Sequence, residues 1–93
     1  MTRDDLACRV IMANAEAWRR SSMPIWTIYN RPTDYPDGFV ARMHVTMAGG
    51  KCAPTDQTLT GELKEIRQVF RRARLTMLPR QTADEPQIVE CWL

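Results

Sequence analysis

The chain has 93 residues, 44% of them hydrophobic and 26% charged, with a formal net charge of +2. That length suits one domain, and the composition excludes a disordered tail. Three well-separated cysteines, Cys8, Cys52 and Cys91, form no C-x-x-C pair, no apolar run reaches the ~18 residues of a membrane span, and no apolar leader opens the chain, so reduced thiols and a cytoplasmic location are expected.

Residues 3–20 are predicted to form an amphipathic helix. Thr2 suits its N-cap, Asp4 and Asp5 its positive end, and Arg19 and Arg20 its negative end. At 100° per residue, Leu6, Ala7, Val10, Ile11, Ala17 and Trp18 share one broad arc, with Arg9, Glu16, Arg19 and Arg20 opposite. Asn14 falls inside the apolar arc and needs a hydrogen-bond partner there. Ser21-Ser22-Met23-Pro24 then reads as a hinge. Residues 1–22 are accordingly read as a helical extension, optional to a compact domain at 23–93 that could begin at Met23.

Ile25–Asn30 is a predicted strand, and residues 39–47 are another. In the second, Phe39, Ala41, Met43 and Val45 face one way and Val40, Arg42, His44 and Thr46 the other. Between them, Arg31-Pro32-Thr33-Asp34 and Tyr35-Pro36-Asp37-Gly38 each place proline at the second turn position, giving a hairpin with a double-turn loop. Gly49-Gly50 marks a second reversal, and a weaker strand follows at 55–59. Thr60 is the expected cap of a helix over 62–74, whose buried stripe is Leu63, Ile66, Val69, Phe70 and Ala73. A brief strand at 75–78, a loop at 79–87 and a closing strand in IVECWL complete the chain. The expected class is α+β: a small antiparallel sheet of four to five strands, the 62–74 helix on one face, and the N-terminal helix docked in an unspecified place.

The stretch WTIYNRPTDYPDGFVAR and the ending DEPQIVECWL resemble a group of small proteins from proteobacteria and their prophages, whose layout is W-T-[IV]-Y, then P-x-D-[FY]-P-x-x-F-V-A-R, then P-x-I-V-E-x-W-L. The resemblance covers residues 24–93 and not 1–22. It implies a compact cytosolic protein of bacterial or prophage origin and carries no activity with it.

No chemical motif stands above its structural explanation. AGGKCAPT contains Gly-Lys, but Val45 occupies the first glycine of a P-loop and Cys52 its hydroxyl position, so the stretch is read as a turn. His44 is the only histidine; a thiol–imidazole pair would need a nucleophile signature that no cysteine here has, and a mid-strand structural role is expected. One histidine and scattered cysteines do not supply a metal site, so no metal or cofactor is expected. Asp34, Asp37, Asp84 and Glu85 are explained by turns and solubility rather than as paired catalytic acids.

Two surfaces remain. Residues 61–80 carry six basic residues against Glu62 and Glu65, and Lys64, Arg67, Arg71 and Arg74 run along one edge of the predicted helix. That ridge would meet phosphates or an acidic partner; alternatively its arginines serve the helix C-terminus and pair with Asp84 or Glu85. On the sheet, Val89, Cys91 and Leu93 are expected to face the helix, leaving Glu90 and Trp92 opposite with Tyr29, Arg42 and His44 as a binding platform. The N-terminal helix could cover that platform in cis or from a second subunit, with Leu6, Val10, Ile11 and Trp18 as self-association residues. Glu16 on its polar face argues against a membrane surface. The expected function is a non-enzymatic protein-interaction or accessory module binding another protein or itself; the alternative is a nucleic-acid binder using the ridge.

Overall fold

A computed structural model describes residues 2–30, 38–79 and 87–93. The turns predicted at 31–37, with Asp34, Tyr35 and Asp37, lie outside these residues, as do Asp84 and Glu85 and most of the 79–87 loop. In chain order the elements are α1 (Arg3–Arg19), β1 (Met23–Asn30), β2 (Phe39–Thr46), β3 (Cys52–Gly61), α2 (Leu63–Arg72), β4 (Met77–Pro79) and β5 (Ile88–Trp92). The strands form one five-stranded antiparallel sheet in the order β3-β2-β1-β5-β4. The α+β architecture is the one expected from the sequence.

Both helices lie on the same face of the sheet. Ala7, Val10 and Ala17 of α1, with Ile66, Val69 and Phe70 of α2, share one core with Trp26, Ile28, Ala41, Met43, Leu59 and Trp92. Phe70 sits between the two indoles, its ring centroid 5.5 Å from that of Trp26 and 5.5 Å from that of Trp92. The α2 helix therefore lies over β1 and β5. The α1 helix lies towards β2 and β3, where an Arg9 guanidinium N–H donates to the Thr58 carbonyl. Ion pairs of Arg3 with Glu65 and Arg72 with Asp4 join the helices side by side. Asn14 finds the partner its place requires: the Trp26 indole N–H donates to Asn14 Oδ1 at 2.8 Å.

The helix ends follow from local chemistry. Thr2 and Asp5 form a reciprocal capping box at the start of α1. At its end Ser21, with φ 60°, turns the chain left-handed, while the N–H groups of Ser21 and Ser22 bond the carbonyls of Trp18 and Ala17. The α2 helix ends by the same device: Arg74 has φ 64°, and the N–H groups of Arg74 and Leu75 bond the carbonyls of Arg71 and Phe70. Its start differs from expectation. β3 is longer than the predicted 55–59 strand and takes in Thr60, so the N-cap is Glu62 without a side-chain cap bond.

The pleat of β5 is a correction. Trp92 pairs across the ladder with Trp26, and Glu90 with Ile28, so both point under the helices rather than to the opposite face. Each is 3% exposed. Alternation gave two nearly equal rows, Val89-Cys91-Leu93 and Ile88-Glu90-Trp92. The structure takes neither row whole: a bulge at Val89 keeps Val89 against the core as expected and pairs Ile88 with outward-facing Tyr29. Glu90 and Trp92 turn inward because the indole buries a large apolar area and Glu90 comes with its charge compensated.

Candidate functional site

The predicted basic ridge is divided by this arrangement. Arg67 turns onto β5 and grips Glu90 with both ends of its guanidinium, Nε to Oε2 at 3.0 Å and Nη2 to Oε1 at 2.6 Å. The Trp92 indole N–H donates to the same carboxylate at 2.8 Å. Burial pushes the Glu90 carboxyl up, but the hydrogen bonds from Arg67 and Trp92 and the nearby charges of Arg67 and Arg71 outweigh it, leaving the carboxyl below its usual range. Arg67 is thus a structural counter-ion of the core. Lys64, Arg71 and Arg74 are exposed, and none forms an ion pair with a described residue.

The predicted platform is also divided. Thr27, Tyr29, Arg42, His44 and Cys91 lie on the sheet face away from the helices, and Trp92 does not. Tyr29 Oη and His44 Nε2 meet at 3.4 Å across two steps of the β1–β2 ladder, so both side chains lie along the sheet above the Thr27–Arg42 pair. Thr27 Oγ1 and Cys91 Sγ are 3.6 Å apart, and Thr27 is buried. Arg42 donates to the Thr55 carbonyl at 2.7 Å. The polar groups of this face are largely engaged with one another. Among the described residues no helix of the chain covers it, so α1 does not act as its lid in cis. Nor do three or more metal-ligating side chains come together among the described residues.

Of the self-association residues, Val10 is in the core and Leu6 packs against it. Ile11 and Trp18 point outward, 48% and 60% exposed.

Sequence reasoning missed a groove between α1 and β3. The ladder between β2 and β3 shifts register between Arg42 and His44, where Thr55, Asp56 and Gln57 stand opposite Met43. The bulge is held by the Thr55 hydroxyl, which donates to the Met43 carbonyl at 2.7 Å and accepts from the Gln57 N–H at 3.2 Å, and by the Arg42 contact. It pushes β3 outward under α1 and opens a groove of about 500 Å³. Ala13, Ala17, Met43 and Val45 make an apolar bed, Met47 stands at one end, and Glu16, Arg20, Asp56 and Gln57 form a polar rim. The Glu16 carboxylate is shared by Arg19 and Arg20 at 2.7 and 2.9 Å, which fixes one side of that rim. The only hint in the sequence was Pro54 and the weak β character of residues 53–57.

No family model, curated sequence or solved structure matches this chain. The groove is therefore read from its own chemistry: apolar floor, anchored rim and two methionines that repack readily around different shapes. Within the described residues, no helix is long and apolar enough to cross a membrane.

Proposed function

We propose that the chain is a non-enzymatic protein-interaction module that takes a segment of another protein into the groove between α1 and β3. The observation that carries this reading is the Met43–Val45–Met47 floor under the α1 wall, a size and composition suited to one large apolar anchor side chain. Glu16, Asp56 and Gln57 are placed to bond the polar groups flanking that anchor. An accessory role in the bacterial cytoplasm, in a prophage setting, follows from the resemblance of residues 24–93 and belongs to the same proposal.

Selection from a random peptide library tests it without a known partner. Selected peptides should share a large apolar residue, shift the methyl resonances of Met43 and Met47, and lose affinity roughly tenfold with Met47→Glu. Peptides that leave both methyls unmoved would refute the groove as the site.

The second reading, nucleic-acid binding, is favoured by the exposure of Lys64, Arg71 and Arg74 without described acidic partners. It requires anisotropy titrations that weaken steeply with salt and with Arg71→Glu. Flat titrations at low salt would remove it.

A further inference from the structure

We infer that a second copy of this chain pairs with it through the outer face of α1, the two helices running antiparallel. This face adjoins the groove on one side, where Met12, Ala15 and Arg19 line a shallow depression with Ala13, Glu16 and Gln57 of the groove. On it, Asp4, Cys8, Ile11, Ala15 and Trp18 recur at the alternating four-and-three spacing of a helix-pairing seam, flanked by Met12. All six are exposed, Met12 by 71%. A solvated helix would carry polar residues here; this one carries its largest unburied apolar side chains, Ile11, Met12 and Trp18.

The ends of the helix specify the partner. Asp4 and Asp5 lie in the first turn and Arg19 in the last, followed by Arg20. A two-fold axis near Ile11 and Met12 brings the acidic end of each helix to the basic end of the other and opposes the helix dipoles favourably. In that register Cys8 meets Ala15 of the second copy and Ile11 meets Met12. Trp18 meets the first turn, beside Asp5. Small residues face small at Cys8 and Ala15, Ile11 packs on Met12 at the axis, the Trp18 ring lies across the first turn, and each end meets its opposite charge. A parallel pairing would set Arg19 against Arg19 and Asp4 against Asp4. Asp4 already bonds Arg72 of its own chain and Arg19 and Arg20 share Glu16, so the complement rests on Asp5, on the one positive charge that Glu16 leaves in the last turn, and on the helix dipoles. A seam along a helix of about 25 Å buries roughly 800 Å² in total, below a standard interface, so the dimer should form in the micromolar range.

Sedimentation velocity of the full chain across low to high micromolar concentration decides it. The expected result is a monomer–dimer equilibrium that Ile11→Glu and Trp18→Glu each weaken roughly tenfold or more, with circular dichroism unchanged because both side chains are exposed. Arg19→Asp should also weaken it. A chain that stays monomeric throughout, or a dimer indifferent to Ile11→Glu and Trp18→Glu, would overturn the inference.

Discussion

Arg74 holds a left-handed conformation at the helix C-terminus, a place where glycine usually sits. Arg74→Gly is expected to raise stability by about 0.5–1 kcal/mol in urea unfolding, and no gain would mean that the guanidinium makes contacts of equal worth. Arg67 and Glu90 invite a double-mutant cycle. Removing the arginine alone strands a carboxylate that is only 3% exposed, so Arg67→Ala should cost about 3 kcal/mol, while Arg67→Met with Glu90→Leu should recover only part of it, because the Trp92 N–H then loses its acceptor. His44 gives a pH signature. Burial above all, then the charge of Arg42, holds its imidazole below the ordinary 6.5. Below that value the unfolded chain takes up a proton that the folded chain resists, so stability is full at neutral pH and declines as pH drops below about 6.5. The Glu90 carboxylate adds to the loss only further down, as pH falls below its ordinary 4.5 and through its lower folded value. Thermal melts of His44→Gln should lack the first decline and keep the second.

At the scale of elements, α1 is bound into the fold by core residues, by the Asn14–Trp26 hydrogen bond and by two ion pairs to α2. A chain starting at Met23 would uncover Met43, Leu59 and part of the aromatic cluster, and its urea unfolding should lose the single cooperative transition of the full chain. An unchanged transition would show that α1 docks without supporting the core. The elements themselves were legible because their signals are local: the Thr2 and Asp5 cap, the stripe from Leu63 to Phe70, and the alternation from Phe39 to Thr46. What was not legible depended on competition between distant groups. The phase of β5 turned on whether Trp92 could bring Glu90 inside, and that depended on Arg67, 23 positions away. The same event removed Arg67 from the ridge and Trp92 from the platform. The groove was hidden for a related reason: a bulge is a mismatch between two strands, and neither β2 nor β3 announces it alone.

The whole molecule is a two-layer sandwich with its helices on one side, and this leaves three kinds of surface. The open sheet face is occupied by its own polar contacts, from Tyr29–His44 to Thr27–Cys91. The outer seam of α1 suits a second copy. The groove beneath α1 suits an apolar anchor and is the centre of the functional proposal. Site-specific photo-crosslinking in the organism of origin tests it most directly, with a photoreactive residue at Met47 and a control at Lys64, which is exposed on α2 and does not line the groove. The expected result is a discrete protein adduct from position 47, absent from position 64 and lost when Ala13→Trp fills the groove. Equal adducts from both positions, or an adduct that persists in the filled groove, would contradict the groove as the docking site.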